Sequence, residues 1–146
     1  MSSFSRDRVV IPIDFSEESQ NALRVGLEVS GDVEKLHLIH VLPPLEAISP
    51  AAVWGDLTDS QREQSVRKYA QDFLAKNGAS DAELTVVVGD PGKEITRFAE
   101  KANADLIIIS SHGYHGFKRM ILGSVAEAVI RHADCAVLVL RRTDAE

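Results

Sequence analysis

Apolar residues are clustered along this chain, with polar stretches between the clusters. Five short runs rich in Val, Ile and Leu stand out: Val9 to Ile13, Leu36 to Val41, Leu84 to Val88, Leu106 to Ile109 and Ala136 to Leu140. Their length and β-branched content predict strands. Several lack in/out alternation, as strands do when a parallel sheet is covered by helices on both faces. The intervening stretches carry helical patterns. Glu17 to about Ser30 puts Ala22, Val25 and Val29 on one stripe, with Ser16 as N-cap. About Asp59 to Asn77 has Val66, Tyr69, Phe73 and Leu74 as its apolar side and stops at Asn77-Gly78. About Pro91 to Asn103 opens with Asp90 as cap and Pro91 in the first helical position. Ser124 to His132 starts with Ser124 and Glu127, which fit an S-x-x-E capping box. This strict alternation predicts an α/β fold, a doubly wound five-stranded parallel sheet with right-handed crossovers and four flanking helices.

Neither an internal repeat nor a linker divides the chain, so residues 1–146 are expected to form a single domain. Pro43 to Leu57, with Pro43, Pro44, Pro50 and Gly55, is the one long irregular segment. Such a segment is either a lid or partner surface or a tolerated insertion, and Trp54 within it is an exposed anchor or a pocket cover.

Composition narrows the function classes. Charged residues at 26% and hydrophobic ones at 45% are an ordinary globular mixture. The apolar runs fall far short of the roughly 20 residues a membrane span needs. Met1 to Arg8 is not followed by an apolar core of signal-peptide type, so a cytoplasmic location is expected. Cys135 is the only cysteine, which excludes an internal disulfide or a multi-thiolate zinc site and suits a reducing compartment. Sixteen Lys and Arg stand against 22 Asp and Glu, a net charge of −6 that argues against a nucleic-acid partner. A phosphate ligand would need local donors or a metal ion to offset that charge.

Open α/β sheets bind ligands beyond the carboxyl ends of their strands. Those ends are Asp14, Val41, Gly89-Asp90 and Ser110 to Gly113. Only the last opens a long glycine-bearing loop, Ser110 to Ser124, that feeds into a helix. Glycines let backbone N–H groups approach an anion, and the helix start at Ser124 and Val125 adds donors and a favourable dipole. The loop has no Asp or Glu, while Lys118 and Arg119 supply positive charge or a solvated basic turn. Other nucleotide and hydrolase motifs fail. No G-x-G-x-x-G follows the first strand, Gly92-Lys93 lacks the rest of a Walker motif, and there is no G-x-S-x-G elbow. His112 and His115 lack further zinc ligands, and His37 and His40 fall on opposite faces of their strand.

Over nearly its whole length the chain resembles the universal stress protein family. Ile11-Pro12-Ile13-Asp14-Phe15-Ser16 is similar to that family's V-P-x-D-x-S opening. The long loop is similar to the G-x2-G-x9-G-[ST] pattern of the ATP-binding subgroup, matched by Gly113, nine residues, then Gly123-Ser124, with Ser110 in place of the first glycine. Gly89-Asp90-Pro91 and the closing strand add to the match. The resemblance implies strand order 3-2-1-4-5 and an ATP site, with AMP or cyclic AMP as other adenylates, and Mg²⁺ or Mn²⁺ bridging the phosphates. It places Asp14 and the Val41 backbone at the adenine and Pro12 and Ile13 along the base pocket, and counts Gly89 among the nucleotide-binding residues. Ile109, Ser110 and Gly113 border ribose and phosphates, and Gly123, Ser124 and Val125 hold the phosphate tail.

The function expected is a binding module, a homodimeric stress-response sensor paired through the apolar edge strand Ala136 to Leu140 and read by a protein partner. Two alternatives stand beside it. One is a slow ATP hydrolase or phosphotransferase, with His112 and Asp90 as the nearest candidate groups. The other is a nucleotide-free dimeric scaffold, suggested by Ser110.

Overall fold

The computed structural model describes residues 6–44, 59–111 and 122–141. In chain order the elements are β1 (Val9–Pro12), α1 (Glu17–Ser30), a short 3₁₀ turn (Val33–Lys35), β2 (Leu36–Leu42), α2 (Asp59–Lys76), β3 (Glu83–Val88), α3 (Pro91–Lys101), β4 (Leu106–Ser110), α4 (Ser124–His132) and β5 (Ala136–Leu140). All five strands are parallel, in the order β3-β2-β1-β4-β5. This is the expected doubly wound sheet. The irregular segment predicted from Pro43 to Leu57 lies outside the described residues beyond Pro44.

Two apolar layers explain why the strands lack in/out alternation. Val9, Ile11 and Ile13 of the first strand and its extension face Ala22 and Leu23 of α1 and Phe73 and Leu74 of α2. Val10 points the other way, joining Ile107 and Ile109 against Ile95 and Ala99 of α3 and Ala126 and Val129 of α4. Both faces of the central strands are dry, so both sets of alternating positions must be apolar.

Three local expectations are corrected. The buried stripe of α1 is Ser19, Ala22, Leu23 and Gly26, while Val25 and Val29 are only half-buried. Small residues define this face because the helix lies so close to the sheet: a Cβ on Gly26 would sit 2.5 Å from Ile11 Cδ1. On α2, Ala70, Phe73 and Leu74 are buried but Tyr69 is 62% exposed. The capping box is absent. Gly123 is the N-cap of α4, Ser124 is already helical, and Glu127 pairs instead with Arg131 at 3.4 Å. Ser16 and Asp90 cap α1 and α3 as expected, their side chains accepting from the backbone N–H groups of Ser19 and Lys93. Helix α3 ends two residues early, as Asn103 turns into the left-handed region (φ 54°).

Candidate functional site

The strand order reverses between β1 and β4, and the two strands part there. Their pairing runs only through Val9↔Leu106 and Val10↔Ile107, although β4 continues alongside β5 as far as Ser110↔Leu140. Ile13 N–H donates to Ile39 O of β2 at 2.9 Å. Successive N–H groups along a strand address opposite neighbours, so Pro12 faces β4 and has no N–H to give it. The proline thus ends the ladder, and Asp14 and Ser110 flank the strand-order reversal, the place where open α/β sheets form a ligand crevice.

On the β1 side the chain makes a tight, heavily bonded turn. Asp14 Oδ1 accepts from Ser16 N–H at 3.1 Å, from Ser19 Oγ at 2.7 Å and from Ser16 Oγ. Ser19 Oγ in turn accepts from Asp14 N–H at 2.8 Å, and Ser16 Oγ from Ser19 N–H at 3.3 Å. Three donors on one oxygen fix the carboxylate's orientation. Next to it, Phe15 has φ 66°, the left-handed region that a bulky residue avoids. Such a residue costs about 1–3 kcal/mol and persists only where its surroundings hold it. Here the ring packs on His40 (centroids 4.7 Å apart), Tyr69 (5.1 Å) and Phe73 (5.5 Å). The His40 Nδ1–H also donates to Ile13 O at 2.6 Å. A carbonyl only accepts, so this contact sets the proton on Nδ1.

On the β4 side, Ser111 N–H donates to Leu140 O at 2.8 Å and Gly123 N–H to Ser111 O at 2.7 Å. These bonds bring the start of α4 against the end of β4, so the long loop leaves and returns at one point. Gly123 O accepts from Glu127 N–H at 2.9 Å, which leaves the N–H groups of Ser124, Val125 and Ala126 without acceptors inside the helix. Among the described residues, no side chain caps this end. Its partial positive charge and its donors suit an anion.

Of the residues expected at a site, Pro12, Asp14, Ser110, Gly123, Ser124 and Val125 lie at the edges of this crevice. The Ile13 and Ile109 side chains lie in opposite apolar layers, so they can offer a ligand only backbone, and the Ile13 carbonyl is held by His40. Val41 is half-buried on β2, adjacent to β1. Gly89 is set apart at the end of edge strand β3, its N–H bonded to Leu42 O. Asp90, weighed as an acid or base, is the α3 cap. His37 pairs with Glu83 at 2.9 Å, separately from His40. Gly113, His112, His115, Lys118, Arg119 and Trp54 lie outside the described residues. No group of His, Cys, Asp and Glu able to hold a metal occurs among the described residues.

Ser19, Phe15 and His40 were not singled out from the sequence as site residues. Ser19 had a legible signal, since D-x-S-x-x-S puts it one helical turn after Ser16 on the same face. His40 had none, because its partner Ile13 is met only through the β1–β2 register.

Comparison with known proteins agrees with the architecture. The model of the universal stress protein family matches residues 5–141. Universal stress protein MJ0531 of Methanocaldococcus jannaschii is 31% identical over 145 residues, covering 95% of this chain and 84% of that protein. The solved structure of hypothetical protein MJ0577 superposes with TM-score 0.78 at 28% identity, covering 97% of this chain and all of that one. A universal stress protein from Archaeoglobus fulgidus in complex with dAMP superposes with TM-score 0.62 at 22% identity, covering 92% of this chain and 97% of that one.

Proposed function

This chain belongs to the universal stress protein family, and from that premise we propose that it is a single adenine-nucleotide-binding domain of the ATP-binding subgroup, working in the cytoplasm as a homodimeric regulator. One observation carries the ATP reading. The N-terminus of α4 has no side-chain cap among the described residues and is strapped to the end of β4, beside the strand-order reversal, by the Gly123–Ser111 bond. A phosphate tail placed there meets the N–H groups of Ser124 and Val125 and the Ser124 hydroxyl. The adenine lies toward Asp14, Pro12 and the Val41 backbone, with ribose between Ile109, Ser110 and Gly113. Gly89 acts at a distance, shaping the β3–α3 turn. The Archaeoglobus fulgidus neighbour, a complex with an adenine nucleotide, supports the same ligand class.

Ser110 in the first glycine position of the motif is compatible with this reading. It belongs to β4 and pairs with Leu140, so its backbone is extended and its Cβ costs no strain. With no metal-binding group among the described residues, Mg²⁺ or Mn²⁺ would be held through the phosphates. Turnover is a minor expectation, since Asp90 is engaged as a helix cap.

Titration calorimetry with ATP, AMP and cyclic AMP tests the proposal. ATP is expected to bind, and Gly123→Val to lower its affinity by about tenfold or more while helical content is unchanged. Failure of all three adenylates to bind leaves the nucleotide-free scaffold as the reading that survives.

A further inference from the structure

His40 contacts both neighbours of Asp14 with one ring. Its Nδ1–H holds the carbonyl of Ile13 at 2.6 Å, and its face packs on the ring of Phe15 at 4.7 Å. Asp14 is the residue between them, its N–H and one carboxylate oxygen tied to Ser16 and Ser19 of the next turn. His40 is half-buried, and its bond to Ile13 is part-buried. The left-handed conformation of Phe15 sends the chain sharply back toward Ser16, and that reversal is what lets the Ser16 and Ser19 hydroxyls reach the carboxylate. Phe73 is buried and Tyr69 exposed, and their rings support Phe15 from α2, Phe73 also sharing the apolar layer of the Ile13 side chain. Among the described contacts, His40 alone combines a hydrogen bond to the Ile13 carbonyl with a ring contact to Phe15.

Resting on the adenine-nucleotide reading above, we propose that His40 is a positioning residue for nucleotide binding: by gripping Ile13 and Phe15 it holds the Asp14 carboxylate in the orientation that meets the base. It touches Asp14's neighbours and acts on the ligand through Asp14.

The test is calorimetry on the full chain with two probes, ATP and adenosine. His40→Ala weakens both by a similar factor, because the grip acts at the base end. About tenfold or more is expected, by analogy with the outer partners of metal-ligating side chains. His40→Asn recovers much of the loss, since its Nδ2 donor can occupy the place of Nδ1, and His40→Phe, which keeps the ring but not the donor, falls between. In an Asp14→Asn background His40→Ala adds little further loss, which a residue contributing only stability would not show. Urea titration of each variant identifies any that fails to fold, and the Asn and Phe variants carry the test if Ala does. Wild-type affinity in a folded His40→Ala chain, or additive losses with Asp14→Asn, overturns the proposal while nucleotide binding stands. A wild-type chain that binds neither probe removes both together.

Discussion

Cys135 shows how little a single side chain's identity says without its surroundings. Burial pushes its thiol pKa above the ordinary value, and the carboxylates of Asp105 and then Asp134 push it further in the same direction. The thiolate is the reactive form, so this cysteine is a poor nucleophile near neutral pH. Alkylation by iodoacetamide at pH 8 is expected to be several-fold slower than for an unstructured thiol, on the scale set by the thiolate fraction. Because burial is the largest cause, unfolding in urea restores the rate more than Asp134→Asn does. Equal rates in folded and unfolded chain would contradict a thiol pKa raised by the fold. The linkage has a definite sign. The folded chain holds this proton more tightly, so the contribution to stability is intact below the thiol's unfolded pKa. It is lost as pH rises through the raised one. At the same scale, His40 and Ser19 matter through partners that the fold supplies, which is why residue type alone did not single them out.

The start of α4 is where element-level signals misled and where stability and binding pull apart. S-x-x-E reads as a capping box, yet the helix begins one residue earlier than that motif requires, with Gly123 in an extended conformation (φ −66°, ψ 152°) as cap. Helix limits were otherwise legible to within a residue or two, because Ser16, Asp90 and Pro91 make local bonds or fix local dihedrals. The α1 stripe was misjudged because Gly26 and Ser19 carry no apolar signal, although close packing on Ile11 demands small residues there. At α4 a glycine cap leaves the first turn's N–H groups available at some cost in stability. Gly123 occupies dihedrals open to any residue, so Gly123→Asp supplies a side-chain cap and a negative charge at the positive end of the helix. The gain is expected to be about 0.5–1 kcal/mol, a rise in Tm of roughly 2–4 °C for a chain of this size. The same carboxylate would repel a phosphate tail, so ATP affinity should fall as Tm rises. A variant less stable than wild type, or one more stable that binds ATP equally well, would show that this helix end is not the phosphate cradle.

For the whole molecule, the sheet was largely legible because strand, helix and turn signals all agreed on one alternating order, and right-handed crossovers leave few ways to lay that order down. The crevice was legible only as strand ends. Its opening depends on Pro12 facing β4, a consequence of strand order that no local window contains. The same order leaves β5 at the sheet edge with one neighbour, β4, and its apolar residues part-exposed, Leu138 at 37%. An apolar edge strand with free pairing groups is an aggregation hazard unless charged, twisted away or covered. Ala136 to Leu140 contains no charge, proline or glycine. Pairing with the same strand of a second copy is the closed, symmetric way to cover it, and it would hide Leu138 as well as the unpaired backbone. Light scattering coupled to size-exclusion chromatography is therefore expected to return a dimer at micromolar concentration. Leu138→Lys, which puts a charge at the middle of that edge, is expected to return a monomer with its circular dichroism unchanged. A Leu138→Lys chain that stays dimeric would move the interface to another face, and a monomeric wild type would remove the dimer itself.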